Sequence, residues 1–149
     1  METLFRIAYC SRNRIPATSL ASQLHAILDV ARRKNPRLGV TGALLYNDGS
    51  FAQLLEGPLA SVEQIFESIQ RDPRHSDVVV ITSGPIEART FPEWSMAFAG
   101  RRDLSSHAEA AQAFEHAFAG DTDGGQALLQ LLREMVVDDG EWAPLASTR

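Results

Sequence analysis

Two hydrophobic periods interleave over the first hundred residues, and their order leaves few topologies open. Residues 4–11 (Leu-Phe-Arg-Ile-Ala-Tyr-Cys-Ser) alternate, so Phe5, Ile7 and Tyr9 share one face of a half-buried strand. After Pro16, the residues Leu20, Leu24, Ile27, Leu28 and Ala31 recur at helical spacing, with Thr18 or Ser19 placed to cap the helix. Arg32, Arg33 and Lys34 fall in the expected last turn, where cations suit the helix dipole, and Pro36 predicts a stop at Asn35. Strands over 40–46 and 51–56 then form a hairpin around Asn47-Asp48-Gly49-Ser50. Pro58 and Ser61-x-x-Gln64 read as a capping box before Val62, Ile65, Phe66 and Ile69, a second helix stopped near Asp72-Pro73. The β-branched run 78–82 reads as a buried strand, and 94–98 alternates as a fifth. The order is βαββαββ, an α+β, ferredoxin-like sheet with two helices on one face.

The other face of such a sheet needs cover. Residues 105–118 favour helix, the glycines in 120–125 break it, and Leu128, Leu129, Leu131, Leu132, Met135 and Val136 mark another helix. The expected division is a domain over 1–100 and a C-terminal helical extension over 101–149, frayed after Trp142. A chain of 149 residues has room for one core and this appendage. Its 14 Lys+Arg against 19 Asp+Glu give a net charge of −5, which argues against a nucleic-acid partner. No apolar run approaches the ~20 residues that span a bilayer, and Met1-Glu2-Thr3 does not start a signal peptide, so the expectation is a cytoplasmic protein without a membrane partner. One cysteine and four scattered histidines give neither a disulfide nor a zinc-type spacing, and no metal is expected. His25, His107 and His116 read as surface residues.

The chemically unusual position is Gln53. Alternation places it with Phe51 and Leu55 on the helix-covered face, where a carboxamide needs hydrogen-bond partners. Tyr9 points the same way and can supply one. Either the pair satisfy each other, with or without a buried water, or the free end of the amide binds a polar edge of a ligand lying between the helices. Cys10, by the same alternation, faces away.

Five segments, in order, resemble the BLUF domains, blue-light sensors that use a flavin. They are Tyr9-Cys10-Ser11, the stretch 35–46 from Asn-Pro-Arg-Leu-Gly to Leu-Leu-Tyr, Phe51-Ala52-Gln53-Leu54-Leu55-Glu56-Gly57-Pro58, Asp72-Pro73-Arg74-His75, and Phe91-Pro92-Glu93-Trp94-Ser95-Met96. The resemblance covers roughly residues 4–100. It implies FAD between the two helices, Tyr9 as photochemical electron donor, Gln53 as the amide linking Tyr9 to the flavin N5/O4 edge, and Asn35 fixing the O4/N3 side. It also assigns Leu28, Lys34, Arg74 and His75 to the cofactor, and Trp94 and Met96 to signalling. Lys34 stands where a second asparagine often sits, and the interval from Tyr9 to Asn35 is about two residues longer than in some members, which bears on ribityl and phosphate contacts. Arg74 and His75 equally fit a solvated loop pair.

The implied function is a non-enzymatic photoreceptor whose C-terminal helices pass the signal to an unknown downstream protein or through a homodimer. A light-independent flavin-binding enzyme, or a ligand-binding module on the same fold, is the competing expectation. The enzyme lacks support from any nucleophile, base and anion loop converging in the sequence.

Overall fold

The computed structural model describes residues 3–47, 49–92, 96–100 and 108–139. The element order is β1 (Leu4–Asn13), a single 3₁₀ turn at Ala17–Ser19, α1 (Leu20–Leu38), β2 (Thr41–Asn47), β3 (Ser50–Pro58), α2 (Leu59–Arg71), β4 (His75–Ile86), β5 (Ala97–Gly100), α3 (Ala108–Phe118) and α4 (Thr122–Asp139). One five-stranded sheet runs β4-β1-β3-β2-β5. The first four strands pair antiparallel, as a split βαβ requires, and β5 joins β2 in parallel.

Alternation along the strands builds two cores. Ile7, Leu44, Phe51 and Leu55 face α1 and α2, where they meet Leu28, Val62 and Ile65. Ala8, Cys10, Ala43, Leu45, Ala52 and Leu54 face the other way and are covered by Ala113, Phe114, Ala117, Leu128, Leu131 and Leu132 of α3 and α4. The cover expected for this second face is thus supplied by the chain's own tail. Arg12 adds a cation–π contact at 4.0 Å to the Phe118 ring.

Several boundaries differ from the sequence reading. Helix α1 does not stop at Asn35 but runs through Pro36 to Leu38. Proline withholds one N–H, from the carbonyl of Arg32 four residues back, and so near the end of a helix that loss is tolerated. The true stop is Gly39, at φ +72°, whose N–H reaches the Pro36 carbonyl while the Val40 N–H reaches that of Asn35 at 2.9 Å. This is a Schellman closure, and the last-turn cation is Arg37 rather than the 32–34 run. Neither expected cap forms. Ser19 precedes α1 without a side-chain cap bond, and α2 starts directly from Pro58, so Ser61 and Gln64 lie inside it. Proline's fixed φ, here −58°, turns the end of β3 straight into the helix.

Strand β4 is longer than the run 78–82 and is an edge strand, not a buried one. Among the described residues it pairs only with β1, through two register shifts, and Val80 is 47% exposed. At the other edge β5 begins at Ala97, so Met96 precedes the strand, and residues 93–95 lie outside the described residues. The expected break at 120–125 is also shorter, because Gly124 and Gly125 belong to the first turns of α4. A Cβ at Gly124 would stand 2.3 Å from His116 Cβ and 2.9 Å from the His116 carbonyl carbon, so the residue allows α4 to cross α3 at contact distance.

The end of the sheet opposite the β2–β3 hairpin is tied by charge. Glu56 is fully buried and pairs in register with Arg6. Its carboxylate accepts Arg6 Nε at 2.7 Å, the Thr90 backbone N–H at 2.6 Å and the Thr90 hydroxyl at 2.8 Å. Arg89 donates to the Gly39 and Glu56 carbonyls and to the Thr41 hydroxyl. Together these bonds fasten the segment after β4 across β2 and β3.

Candidate functional site

Between α1, α2 and the sheet lies a cavity of about 250 Å³. Its walls are apolar: Ile27, Val30 and Ala31 from α1, Ile65 and Ile69 from α2, Leu44 and Phe51 from the sheet. Tyr9, Lys34, Asn35, Gln53, Ser68, Asp72, Arg74 and His75 supply the polar lining. Six of the seven residues expected at a cofactor therefore converge on one space. The seventh, Leu28, is not part of that lining and is buried in the core of α1 against the sheet.

Tyr9 and Gln53 stand directly opposite in the β1–β3 register and are both buried. The Tyr9 hydroxyl donates to Gln53 Oε1 at 2.5 Å, and Gln53 Nε2 donates to Met96 Sδ at 3.5 Å. Two of the amide's four hydrogen-bonding positions are thereby used, and the amide borders the cavity. Mutual satisfaction and a ligand-facing amide are thus compatible. Phe66 at 5.6 Å and His75 at 6.0 Å box the Tyr9 ring. Burial first, and the Asp72 charge second, push the phenol well above its ordinary pKa, so loss of a proton alone is disfavoured.

Asn35 is buried at 2% exposure, and the Schellman closure that ends α1 fixes its backbone. Lys34 is exposed beside it. At the other side Arg74 forks onto Asp72, Nε to Oδ1 at 2.9 Å and Nη2 to Oδ2 at 2.6 Å, while Nη1 donates to Gln23 Oε1 of α1 at 3.2 Å. That hydrogen bond holds the Asp72 carboxyl below the usual carboxylate range and raises Arg74. Arg74 is therefore paired to Asp72 and tied to α1 at the edge of the cavity. His75 Nε2–H donates to the Ile69 carbonyl at 2.6 Å, and Nδ1 is hydrogen-bonded to the Ser11 hydroxyl at 2.7 Å. Both nitrogens are committed.

Cys10 is fully buried on the opposite face, and burial pushes its thiol up to about 11. His25 and His116 are exposed, as expected. His107 and Trp94 lie outside the described residues. Sequence reasoning passed over Asp72, read only as a helix stop, and Ser11; an acid two residues before an arginine was the available signal. Among the described residues no cluster of His, Cys, Asp and Glu could hold a metal ion, and no helix is long and apolar enough to cross a membrane.

Flat apolar walls with two buried carboxamides on their border fit a planar heteroaromatic ring that carries donors and acceptors along one edge. A family model described as sensors of blue light using FAD matches residues 4–97. The chain belongs to the BLUF family. The family cofactor is a flavin, and the donor set here suits its ring system. Photoactivated adenylate cyclase subunit beta of Euglena longa is 39% identical over 106 residues, 70% of this BLUF chain and 12% of that protein. The blue light- and temperature-regulated antirepressor BluF of Escherichia coli K12 is 35% identical over 57% of this chain and 21% of its own length. The chain thus spans a small part of the curated relatives it matches. Among solved structures, the dark state of the BLUF protein BlrB superposes with a TM-score of 0.72 at 34% identity, covering 92% of this chain and 98% of that one. The ground state of BlsA gives 0.74 at 28% identity, covering 98% and 95%.

Proposed function

We propose that this BLUF chain is a blue-light receptor that holds the ring of FAD between α1 and α2 and switches through the Tyr9–Gln53–Met96 chain. That unbroken series of contacts, which starts from two residues lining the cavity, is the observation that carries the reading. Asn35 and Gln53 would hold the polar edge of the ring and the apolar residues of α1 and α2 its faces. Lys34 would meet the ribityl or phosphate part, and Arg74 and His75 would support the wall. When bound, the flavin supplies absorption of blue light and an acceptor for one electron.

The residues supply the rest. Tyr9 holds a proton on Oη in a hydrogen bond to Gln53 Oε1, so electron and proton can leave the phenol together without a separate ionisation that burial disfavours. Gln53 can reverse its polarity by rotation or tautomerisation. After rotation its oxygen would face Met96 Sδ, and a thioether only accepts, so the contact to Met96 would open. Met96 immediately precedes β5, which gives the change a route along the sheet edge.

Residues 1–100 form the sensor in this reading, and α3 and α4 the cap and output. The apolar stripes of α3 and α4 are already used on the sheet, which favours a separate partner protein over a homodimer seam on those stripes. The relatives' names pair light with unlike outputs, a photoactivated adenylate cyclase and a blue light-regulated antirepressor, which supports a sensor without catalysis of its own. The test is an absorption spectrum of dark-purified protein loaded with FAD, before and after a blue flash. A small red shift that recovers in darkness is expected, lost in Tyr9→Phe and Gln53→Leu with flavin still bound. A colourless chain that takes up no FAD, or a normal photocycle in either variant, overturns the proposal.

A further inference from the structure

Arg32 reaches out of α1 to the backbone of a residue 64 positions away, with Nε donating to the Met96 carbonyl at 3.0 Å. Met96 is 1% exposed, and its sulfur is the acceptor for Gln53. The residue is thus gripped twice, by the helix through its main chain and by the sheet through its side chain. The second grip is weak, because a thioether is a poor acceptor on a side chain with three rotatable bonds. The first is a charge-assisted bond to a carbonyl. The β2–β5 ladder begins only at Ala97, paired with Ala43, so the Met96 carbonyl lies just before the first rung.

We propose that Arg32 is a positioning residue for the light response: by anchoring the Met96 carbonyl it holds Sδ against the Gln53 amide and sets how readily Met96 departs and returns. The inference rests on the receptor reading above. It differs from the role that the basic run 32–34 suggests in sequence, since a bond to a neutral carbonyl across the fold is not a helix-dipole contact. It also makes α1, which carries one wall of the cavity, a direct determinant of where the chain enters β5.

The test uses the full chain loaded with FAD, as Arg32→Ala, Arg32→Lys, Met96→Leu and the double variant Arg32→Ala/Met96→Leu. In darkness, the Met96 methyl resonance, assigned by its loss in Met96→Leu, should shift and broaden in Arg32→Ala and be restored in Arg32→Lys, whose ammonium can still donate. After a flash, dark recovery should change at least threefold in Arg32→Ala, stay near wild type in Arg32→Lys, and in the double variant match Met96→Leu alone. An unchanged methyl resonance in Arg32→Ala, or additive effects in the double variant, overturns the proposal. If Arg32→Ala does not fold, Arg32→Met, which keeps the stem and has no donor, takes its place. If wild-type flavin ignores light, the receptor reading fails together with the light-linked part of this one. The methyl spectrum still decides whether Arg32 positions Met96.

Discussion

Replacing Glu56 by alanine strips four contacts from one buried point. The carboxylate of Glu56, fully buried, takes Arg6 Nε at 2.7 Å, Arg6 Nη2 at 2.6 Å, and the Thr90 N–H and hydroxyl at 2.6 and 2.8 Å. The Arg6 side chain is only 22% exposed, so without Glu56 it becomes a half-buried cation left with the neutral Thr90 hydroxyl oxygen, 3.0 Å from Nη2, in place of a carboxylate. Removing one partner of such a pair costs about 3–5 kcal/mol, against a total of ~5–15 kcal/mol for a domain. With about 2 kcal/mol per molar urea, the unfolding midpoint should fall by roughly 1.5–2.5 M. Exchanging the pair for apolar residues of similar size, Arg6→Met with Glu56→Leu, should return most of that loss, because the desolvation cost disappears with the charges. Urea titrations of wild type, Glu56→Ala and the double exchange, followed by far-ultraviolet dichroism, read all three. A Glu56→Ala midpoint within ~0.5 M of wild type would show that the charge cluster adds little. A double exchange no better than Glu56→Ala would show that the bonds to Thr90, rather than the stranded guanidinium, set the cost.

Gly124→Ala should destabilise by about 1–3 kcal/mol, although alanine is the better helix former, since its Cβ would enter the space of His116 Cβ; thermal melts that rise instead would refute the close crossing. The Asp72 carboxyl is held low by Arg74, so the pair stabilises the fold fully above the unfolded value of ~3.9 and loses its effect as pH falls through the lower folded value. Melting temperatures of wild type and Asp72→Asn should therefore differ by a constant amount near neutrality and converge in acid; a gap that persists at the lowest pH rules this out. Cys10, fully buried with its thiol near 11, should resist alkylation at about pH 8, where only about one thiol in a thousand is ionised, until the protein unfolds. Modification at the rate of a free thiol without denaturant would contradict that.

The Tyr9–Gln53 meeting was legible in the sequence because a period of two assigns each residue a face, and the central strands leave no freedom in which face that is. The helix ends were less so. Pro36 looks like a stop, but a proline three residues before Gly39 forfeits one bond in a turn that is already closing. The run 78–82 has the β-branched content of a buried strand, and composition says nothing of which strand stands at the edge. The charges around the cavity were legible as residues and not as pairs. Arg74 turns to Asp72, two positions away but on the far side of a proline, and Arg32 to a carbonyl 64 residues on, a partner that only the fold selects. The parallel entry of β5 beside β2 likewise has no local signature.

Tyr9 and Gln53 face each other across β1 and β3, and each of those strands has a further strand on its outer side. Separating the two residues by backbone motion means unzipping the middle of the sheet, whereas loops and helix ends fluctuate freely at its borders. In the receptor proposed above, such wiring would keep the false-alarm rate low: thermal jostling at the periphery would reach Met96 before the pair, and triggering in darkness by backbone motion would require the middle of the sheet to open.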